Sequence, residues 1–206
     1  MTRGRRLQDH WGRRARREGW PARSVYKLAE IDRRLGLLRP GARVLDLGAA
    51  PGSWAMYAAE RIGPPGRLVA VDVRPLEVAL PANVQVEQAD VFELEAETLG
   101  CFDVVLSDMA PSTSGHGIVD VGRSEALFER ALELARTVLV PGGAFVGKVF
   151  QGPGLVALRA KLQSSFEQVR VLRPEATRRE SRELFLAGLR RRSMPEPPSG
   201  ASTPTR

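Results

Sequence analysis

From Arg43 to Leu189 short apolar runs alternate with longer stretches of helical period, and no other feature constrains the fold as tightly. The runs read as strands are 43–47, 67–71, 84–87, 102–107, 144–150, 168–172 and 183–189, and the helical stretches are 53–62, 123–139 and 154–165. A strand that returns through a helix lies parallel to its predecessor. The chain is therefore predicted to be α/β, with a seven-stranded, mostly parallel sheet covered by helices on both faces. The last two strands lie close together in the chain, so one of them is expected to run antiparallel at an edge. The 206 residues suffice for one such domain and not for two.

Outside this alternation the chain changes character. Ser24 is placed to cap a helix running to about Leu35, with Val25, Leu28, Ile31 and Leu35 on one face and Gly36 as its stop. Residues 1–22 lack an apolar period and read as a basic arm with at most a helical turn. Residues 23–193 form the expected domain, and the Pro/Ser/Thr-rich residues 194–206 read as a disordered tail. No apolar run approaches the roughly 20 residues needed to cross a bilayer, so no membrane association is expected. The Arg-rich start has no apolar stretch behind it, which argues against a secretory leader, and Asp9, Glu18 and the scarcity of serine argue against a transit peptide. A lone Cys101 cannot form an internal disulfide, and with His10 and His116 it makes a poor metal set. A cytoplasmic location and metal-free chemistry are expected.

Charge is concentrated at the two ends. Residues 1–23 carry eight arginines against Asp9 and Glu18, residues 178–206 carry seven arginines against three acids, and residues 24–177 carry 16 basic and 19 acidic residues. Basic arms on a near-neutral body fit a polyanion, most often nucleic acid. Trp11 and Trp20 among the first arginines favour RNA, because indoles stack on unpaired bases. Only three of the 31 basic residues are lysine: Lys27, Lys148 and Lys161. A lysine gives up its proton when buried or crowded, whereas an arginine effectively never does. Lys161 falls on a polar helical face and reads as solvated, which leaves Lys27 and Lys148 for chemistry.

The first strand ends in Asp46-Leu47-Gly48-Ala49-Ala50-Pro51-Gly52-Ser53-Trp54 and turns into a helix. Such a turn lets a ligand approach the backbone at the carboxyl edge of the sheet. Its glycines are not spaced as in the dinucleotide fingerprint, and Pro51 removes an amide that a pyrophosphate would use. S-adenosylmethionine carries no phosphate and does not need those donors. Asp72, at the end of the second strand, is placed to accept from its ribose hydroxyls, and Asp90, after the third, from its adenine amino group. Asp108 ends the fourth strand in Ser107-Asp108-Met109-Ala110-Pro111. Lys148 interrupts a fifth strand that should be buried, where a charge is costly unless paired, and Asp108 is the expected partner.

With these residues in place the chain resembles the FtsJ-type ribose 2′-O-methyltransferases, from about Trp11 to Leu189. The loop Asp46–Trp54 is similar to the family's cofactor loop, and four residues match its Lys–Asp–Lys–Glu set: Lys27 in SVYKLAEID, Asp108 in SDMAP, Lys148 in GKVFQG and Glu183 in ESRELFLAG. The resemblance implies a Rossmann-like S-adenosylmethionine-dependent methyltransferase fold. It implies cofactor contacts from Asp46, Gly48, Pro51, Gly52, Trp54, Asp72, Asp90 and Asp108. The compact chain with its short arm is most similar to bacterial members that methylate a uridine of large-subunit ribosomal RNA. Two departures bear on loop geometry and not on chemistry: Ser53 replaces a glycine usual in the loop, and Gly147 stands where a β-branched residue is common.

A ribose 2′-hydroxyl is a weak nucleophile, so it must be aimed at the methyl and deprotonated near the transition state. The reading gives Lys148 the role of general base, Asp108 that of orienting it near the sulfonium, Lys27 that of holding the ribose or phosphate, and Glu183 that of fixing a lysine. Arg13, Arg14, Arg16, Arg17 and Arg23 lead into the Lys27 helix, and Arg178, Arg179 and Arg182 flank Glu183, so both groups are expected to contact RNA phosphates. A monomer is expected. Three alternatives stand beside this reading: the same reaction on transfer or messenger RNA, a nicotinamide-dependent oxidoreductase, and a non-catalytic ribosome-assembly factor. The missing fingerprint and the basic ends oppose the second, and the intact tetrad opposes the third.

Overall fold

The computed structural model describes residues 3–112 and 117–193. Its elements are α1 (Arg3–Arg17), α2 (Val25–Leu35), β1 (Arg43–Leu47), α3 (Ser53–Ile62), β2 (Arg67–Asp72), β3 (Val84–Gln88), α4 (Ala96–Leu99), β4 (Phe102–Ser107), α5 (Gly117–Val138), β5 (Leu139–Phe150), α6 (Leu155–Ser165), β6 (Phe166–Leu172) and β7 (Glu183–Arg191). One seven-stranded sheet runs in the order β3-β2-β1-β4-β5-β7-β6. Strands β1 to β5 are mutually parallel, and β7 is antiparallel to both β5 and β6. The chain builds outward from β1 to β3 and then restarts on the other side at β4. This reversal opens a crevice at the carboxyl ends of β1 and β4, where ligands of such sheets bind.

Both faces are covered. Leu28 and Ile31 of α2, with Trp54, Ala55, Ala58 and Ile62 of α3, pack on Val44, Leu68, Ala70, Leu106 and Val146. On the opposite face Phe128, Ala131, Leu132 and Ala135 of α5, with Leu158 and Leu162 of α6, pack on Leu45, Leu47, Val105 and Phe145. Each large side chain removed from water this way contributes about 1.5–3 kcal/mol. The central strands, apolar on both faces, are consequently the best-specified part of the chain.

Several expectations are corrected. The antiparallel strand is not at the edge: β7 inserts between β5 and β6, and β6 takes the edge. A short return from β6 leaves β7 antiparallel, and the apolar Phe185, Leu186 and Ala187, all fully buried, require neighbours on both sides. The N-terminal arm is not a turn but the 15-residue helix α1, anchored where the fully buried Ala15 and the ring of Trp11, 5.0 Å from Tyr26, meet the domain. Leu7, Trp11 and Ala15 recur every four residues, a helical spacing that the surrounding arginines obscured. Ser24 makes no side-chain cap; its carbonyl accepts the Trp54 indole N–H at 2.9 Å instead, while Gly36 does end α2 with φ +65°. Helix α5 starts at Gly117 rather than Arg123, and β5 starts at Leu139, carrying Pro141-Gly142-Gly143 within it at an irregularity in its pairing with β4. The short α4 was not expected. Residues 194–206, read as a tail, lie outside the described residues, as does His116. Among the described residues no helix is long and apolar enough to cross a membrane.

Candidate active site

A cavity of about 550 Å³ opens at the carboxyl ends of β1, β2 and β4. Gly48, Asp72, Asp90 and Asp108 line it, together with apolar Val71, Val91, Phe92, Met109, Pro111 and Leu127. Gly48 is needed here for two reasons: its φ is +80°, and a Cβ would lie 2.9 Å from the Met109 amide nitrogen. The loop amides are largely spoken for. Gly48 and Ala49 donate to the Val71 carbonyl, and Ala50 donates to Asp72 Oδ2 at 2.9 Å. The Arg74 amide donates to Asp72 Oδ1 at 2.9 Å. Asp72 therefore fixes the loop as well as walling the cavity. Asp90 sits exposed at the lip, its Oδ1 accepting from the Phe92 amide at 3.0 Å.

Four of the expected cofactor residues do not line the cavity: Asp46, Pro51, Gly52 and Trp54. Trp54 is buried, stacked 5.7 Å from Phe185 and hydrogen-bonded to Ser24, which makes it a link between α3 and α2. Gly52, at φ +110°, leaves room for Val78. Asp46 is fully buried with neither carboxylate oxygen hydrogen-bonded. Burial, then the charges of Asp108 and Asp72, push its pKa up to about 8. Asp72 and Asp108 on the wall of an open cavity suit a cationic ligand, whose charge would in turn favour ionisation of the orphaned Asp46 beside them, and S-adenosylmethionine, with its sulfonium and ammonium and its apolar adenine ring, fits these residues. Arg74 and the apolar wall were missed in the sequence, because no local pattern distinguishes a cavity wall from a loop. Among the described residues no group of three His, Cys, Asp or Glu could hold a metal ion.

The two lysines form two ion pairs beside this cavity. Lys148, buried on β5, donates to Asp108 Oδ1 at 2.8 Å and to the Asp108 carbonyl at 2.5 Å. Lys27, in the first turn of α2, lies 2.6 Å from Glu183 Oε1, with its ammonium 5.9 Å from the centre of the Phe185 ring. Sheet register brings the pairs together: Lys148 is opposite Phe185, and Glu183, two residues before it, is opposite Phe150. Side chains two apart on a strand share a face, so Lys148, Phe185 and Glu183 all face α2. Four residues spread over 157 positions of chain thus meet through β4, β5, β7 and α2. Lys161, by contrast, pairs with Glu129 at half-exposed positions.

Of the arginines, Arg13, Arg16 and Arg17 are exposed on α1, and Arg178, Arg179 and Arg182 are exposed before β7. Arg14 is engaged within the arm: it pairs with Glu18 at 2.7 Å and lies 4.7 Å from the Tyr26 ring centre. Arg23 is half-buried beside Glu183, and its guanidinium pKa is lowered by burial and then by the neighbouring Arg178. Trp11 and Trp20 are half-buried against Tyr26 and Tyr57, so they hold the arm down.

Known proteins share both the fold and the sequence. Among solved structures, a Plasmodium falciparum protein described as a ribosomal RNA methyltransferase superposes with a TM-score of 0.74 at 23% identity, over 84% of this chain and 98% of that one. A SAM-dependent O-methyltransferase from Thermotoga maritima superposes with a TM-score of 0.57 at 16% identity, over 82% of this chain and 66% of that one. At these identities the likeness is one of fold. In sequence, the ribosomal RNA large subunit methyltransferase E of Sorangium cellulosum is 54% identical over 188 residues, 90% of this chain and 89% of the relative. The protein of the same name from Oleidesulfovibrio alaskensis is 48% identical, over 93% of this chain and 96% of the relative. The FtsJ-like methyltransferase profile matches residues 20–191, from the foot of the arm to the end of β7, and the chain belongs to that family.

Proposed function

We propose that the chain methylates a ribose 2′-hydroxyl, that of a uridine, in large-subunit ribosomal RNA, with Lys148 as general base. The observation that carries this reading is the pairing of two buried lysines, each with its own carboxylate, one of which, Asp108, is part of the wall of an acid-lined cavity. The names of the relatives support the substrate. S-adenosylmethionine, when bound, supplies a methyl group on a sulfonium that leaves as a neutral thioether. Asp72 and Asp108 provide the negative field that favours the cationic cofactor, a bound cation favours the charged form of Asp46 behind them, and Asp90 with the apolar wall receives its nucleoside. Lys148, once its ammonium has released a proton to solvent and stands as the neutral amine, takes the proton of the 2′-hydroxyl as the oxygen bonds to the methyl. Asp108, holding the ammonium from both its carboxylate and its carbonyl, fixes where that nitrogen stands. Lys27, fixed by Glu183, bears on the ribose or its phosphate. The exposed arginines of α1 and of residues 178–182, with Arg23 between them, track the RNA backbone. A cytoplasmic monomer acting on the large ribosomal subunit fits this arrangement.

The test offers methyl-labelled S-adenosylmethionine with unmodified large ribosomal particles, free ribosomal RNA and transfer RNA, alongside Lys148→Ala. Label on ribosomal material alone, lost in the variant, is expected. Label on transfer RNA overturns the target, and cofactor binding with no label on any substrate overturns the reaction.

A further inference from the structure

Ser53 opens α3 directly behind the cofactor loop, yet it does not line the cavity. It is 1% exposed, and its hydroxyl is used twice on a residue 31 positions earlier: it accepts from the Ala22 N–H at 2.7 Å and donates to the Ala22 carbonyl at 3.2 Å. Trp54 adds a third bond, from its indole to the Ser24 carbonyl at 2.9 Å. That same carbonyl accepts the backbone N–H of Lys27 at 3.0 Å. Three bonds thus join the first turn of α3 to residues 22–24, the link between α1 and α2 that holds Arg23 and leads to Lys27.

On its other side Ser53 continues a rigid loop. The Gly52 N–H closes on the Ala49 carbonyl at 2.7 Å, and the Ala50 N–H is bound to Asp72 at the cavity wall. Order imposed at the cavity therefore reaches residue 53 through a short loop held by the Ala50 and Gly52 amides, and passes to Ala22 through the hydroxyl and to Ser24 through the indole. A glycine or alanine at position 53 offers neither of the Ala22 bonds, leaving the half-buried Ala22 amide without its acceptor and its carbonyl with only the Val25 N–H at 3.4 Å.

We propose that Ser53 is a positioning residue that couples the two substrates. By stapling the 22–24 link to the cofactor loop, it makes cofactor binding place Arg23 and Lys27 for RNA, so the two ligands bind with positive cooperativity. The proposal rests on the RNA methyltransferase reading above.

The experiment uses the full chain, S-adenosylhomocysteine as the cofactor probe and an unmodified large-subunit ribosomal RNA fragment as the RNA probe. RNA affinity is measured with and without S-adenosylhomocysteine, together with S-adenosylhomocysteine affinity alone, steady-state methylation and the thermal midpoint. The unsubstituted chain is expected to bind RNA about fivefold to tenfold tighter with the probe present, a common size for coupling between sites. In Ser53→Ala this gain falls below about twofold, and kcat/KM for RNA drops by a similar factor, mainly through KM. Affinity for S-adenosylhomocysteine alone stays within about twofold, since the hydroxyl does not reach the cavity. Ser53→Thr, which keeps the hydroxyl, retains the coupling. An undiminished gain in Ser53→Ala overturns the proposal, and so does an equal loss of cofactor affinity, which makes the residue a mere loop brace. If the unsubstituted chain transfers no methyl group, the functional reading fails separately, and the binding measurements still decide the role of Ser53.

Discussion

The Lys148 ammonium is gripped twice by one residue, through the Asp108 carboxylate and carbonyl, and both contacts suit a small ammonium at the end of a flexible stem. A guanidinium in its place keeps the charge but cannot take a proton. Lys148→Arg is therefore expected to lose about as much turnover as Lys148→Ala, on the order of 10²–10⁴-fold. Single-turnover methylation with cofactor saturating checks this, and near-normal rates for Lys148→Arg refute the base assignment. Asp46 makes a different prediction. Its carboxyl is raised to about 8 by burial and by Asp108 and Asp72, against an ordinary value of 3.8. Between those limits the folded chain holds a proton that the unfolded chain has released, so its stability falls as pH rises from about 4 to 8 and levels off above. Asp46→Asn removes this slope. Its stability relative to the unsubstituted chain should improve across the window by on the order of a few kcal/mol, read from urea unfolding at several pH values. Above about pH 8, where Asp46 is ionised, the same variant is expected to bind S-adenosylmethionine about tenfold more weakly, since one charge attraction at partly screened distance is removed. A flat pH response, with affinity unchanged, removes Asp46 from the cofactor field.

At the scale of elements, β5 carries most of the arrangement, since it pairs with both β4 and β7 and holds Lys148. Gly147 is small here for a packing reason. A Cβ on it would lie 2.7 Å from Phe128 Cε2 and 2.7 Å from Phe145 Cζ, so two phenyl rings occupy the space that any larger side chain would need. These rings meet edge to face at 5.4 Å and lock α5 to the sheet. Gly147→Val should cost about 1–3 kcal/mol by overpacking, and Phe128→Leu added to it should recover part of that cost. Urea midpoints of the single and double variants measure both. Additivity of the two substitutions would show that the rings are not what excludes the side chain.

Over the whole molecule, charge and chemistry are divided. The acids gather in the crevice, and exposed arginines stand on α1 and just before β7. Under the proposed function, cofactor and RNA are attracted to surfaces of opposite sign. Arg13→Ala, Arg16→Ala and Arg17→Ala combined should weaken RNA binding and flatten its dependence on salt, by about 0.7 in logarithmic slope for each phosphate that is no longer neutralised. The thermal midpoint should hold, because the anchors Trp11 and Ala15 remain. Deleting α1 outright confuses the two effects, since it removes the anchors as well. An unchanged slope in the triple variant means that the helix does not touch the RNA backbone.

The sequence by itself determined the strands of the sheet, and it singled out the four residues that the structure joins in two ion pairs. Buried parallel strands are apolar along their length, and a lysine or aspartate inside or at the end of such a run has few reasons to be there. The positions of β1 and β4 could be read to the residue because each apolar run is bounded by turn residues, Gly41 and Gly48 around the first and Gly100 and Pro111 around the second. Only the tertiary structure decided the rest. The place of β7 between β5 and β6 depends on which neighbours bury Phe185, and those neighbours are remote in sequence. The length and docking of α1 depend on Trp11 meeting Tyr26 of α2 and on the burial of Ala15. That Lys27 takes Glu183 and that Asp46 takes no lysine followed from register across the strands, whereas the Lys148–Asp108 pair was already expected from the sequence. Side-chain pairing is fixed by three-dimensional proximity, and local sequence carries only the parts that local forces fix.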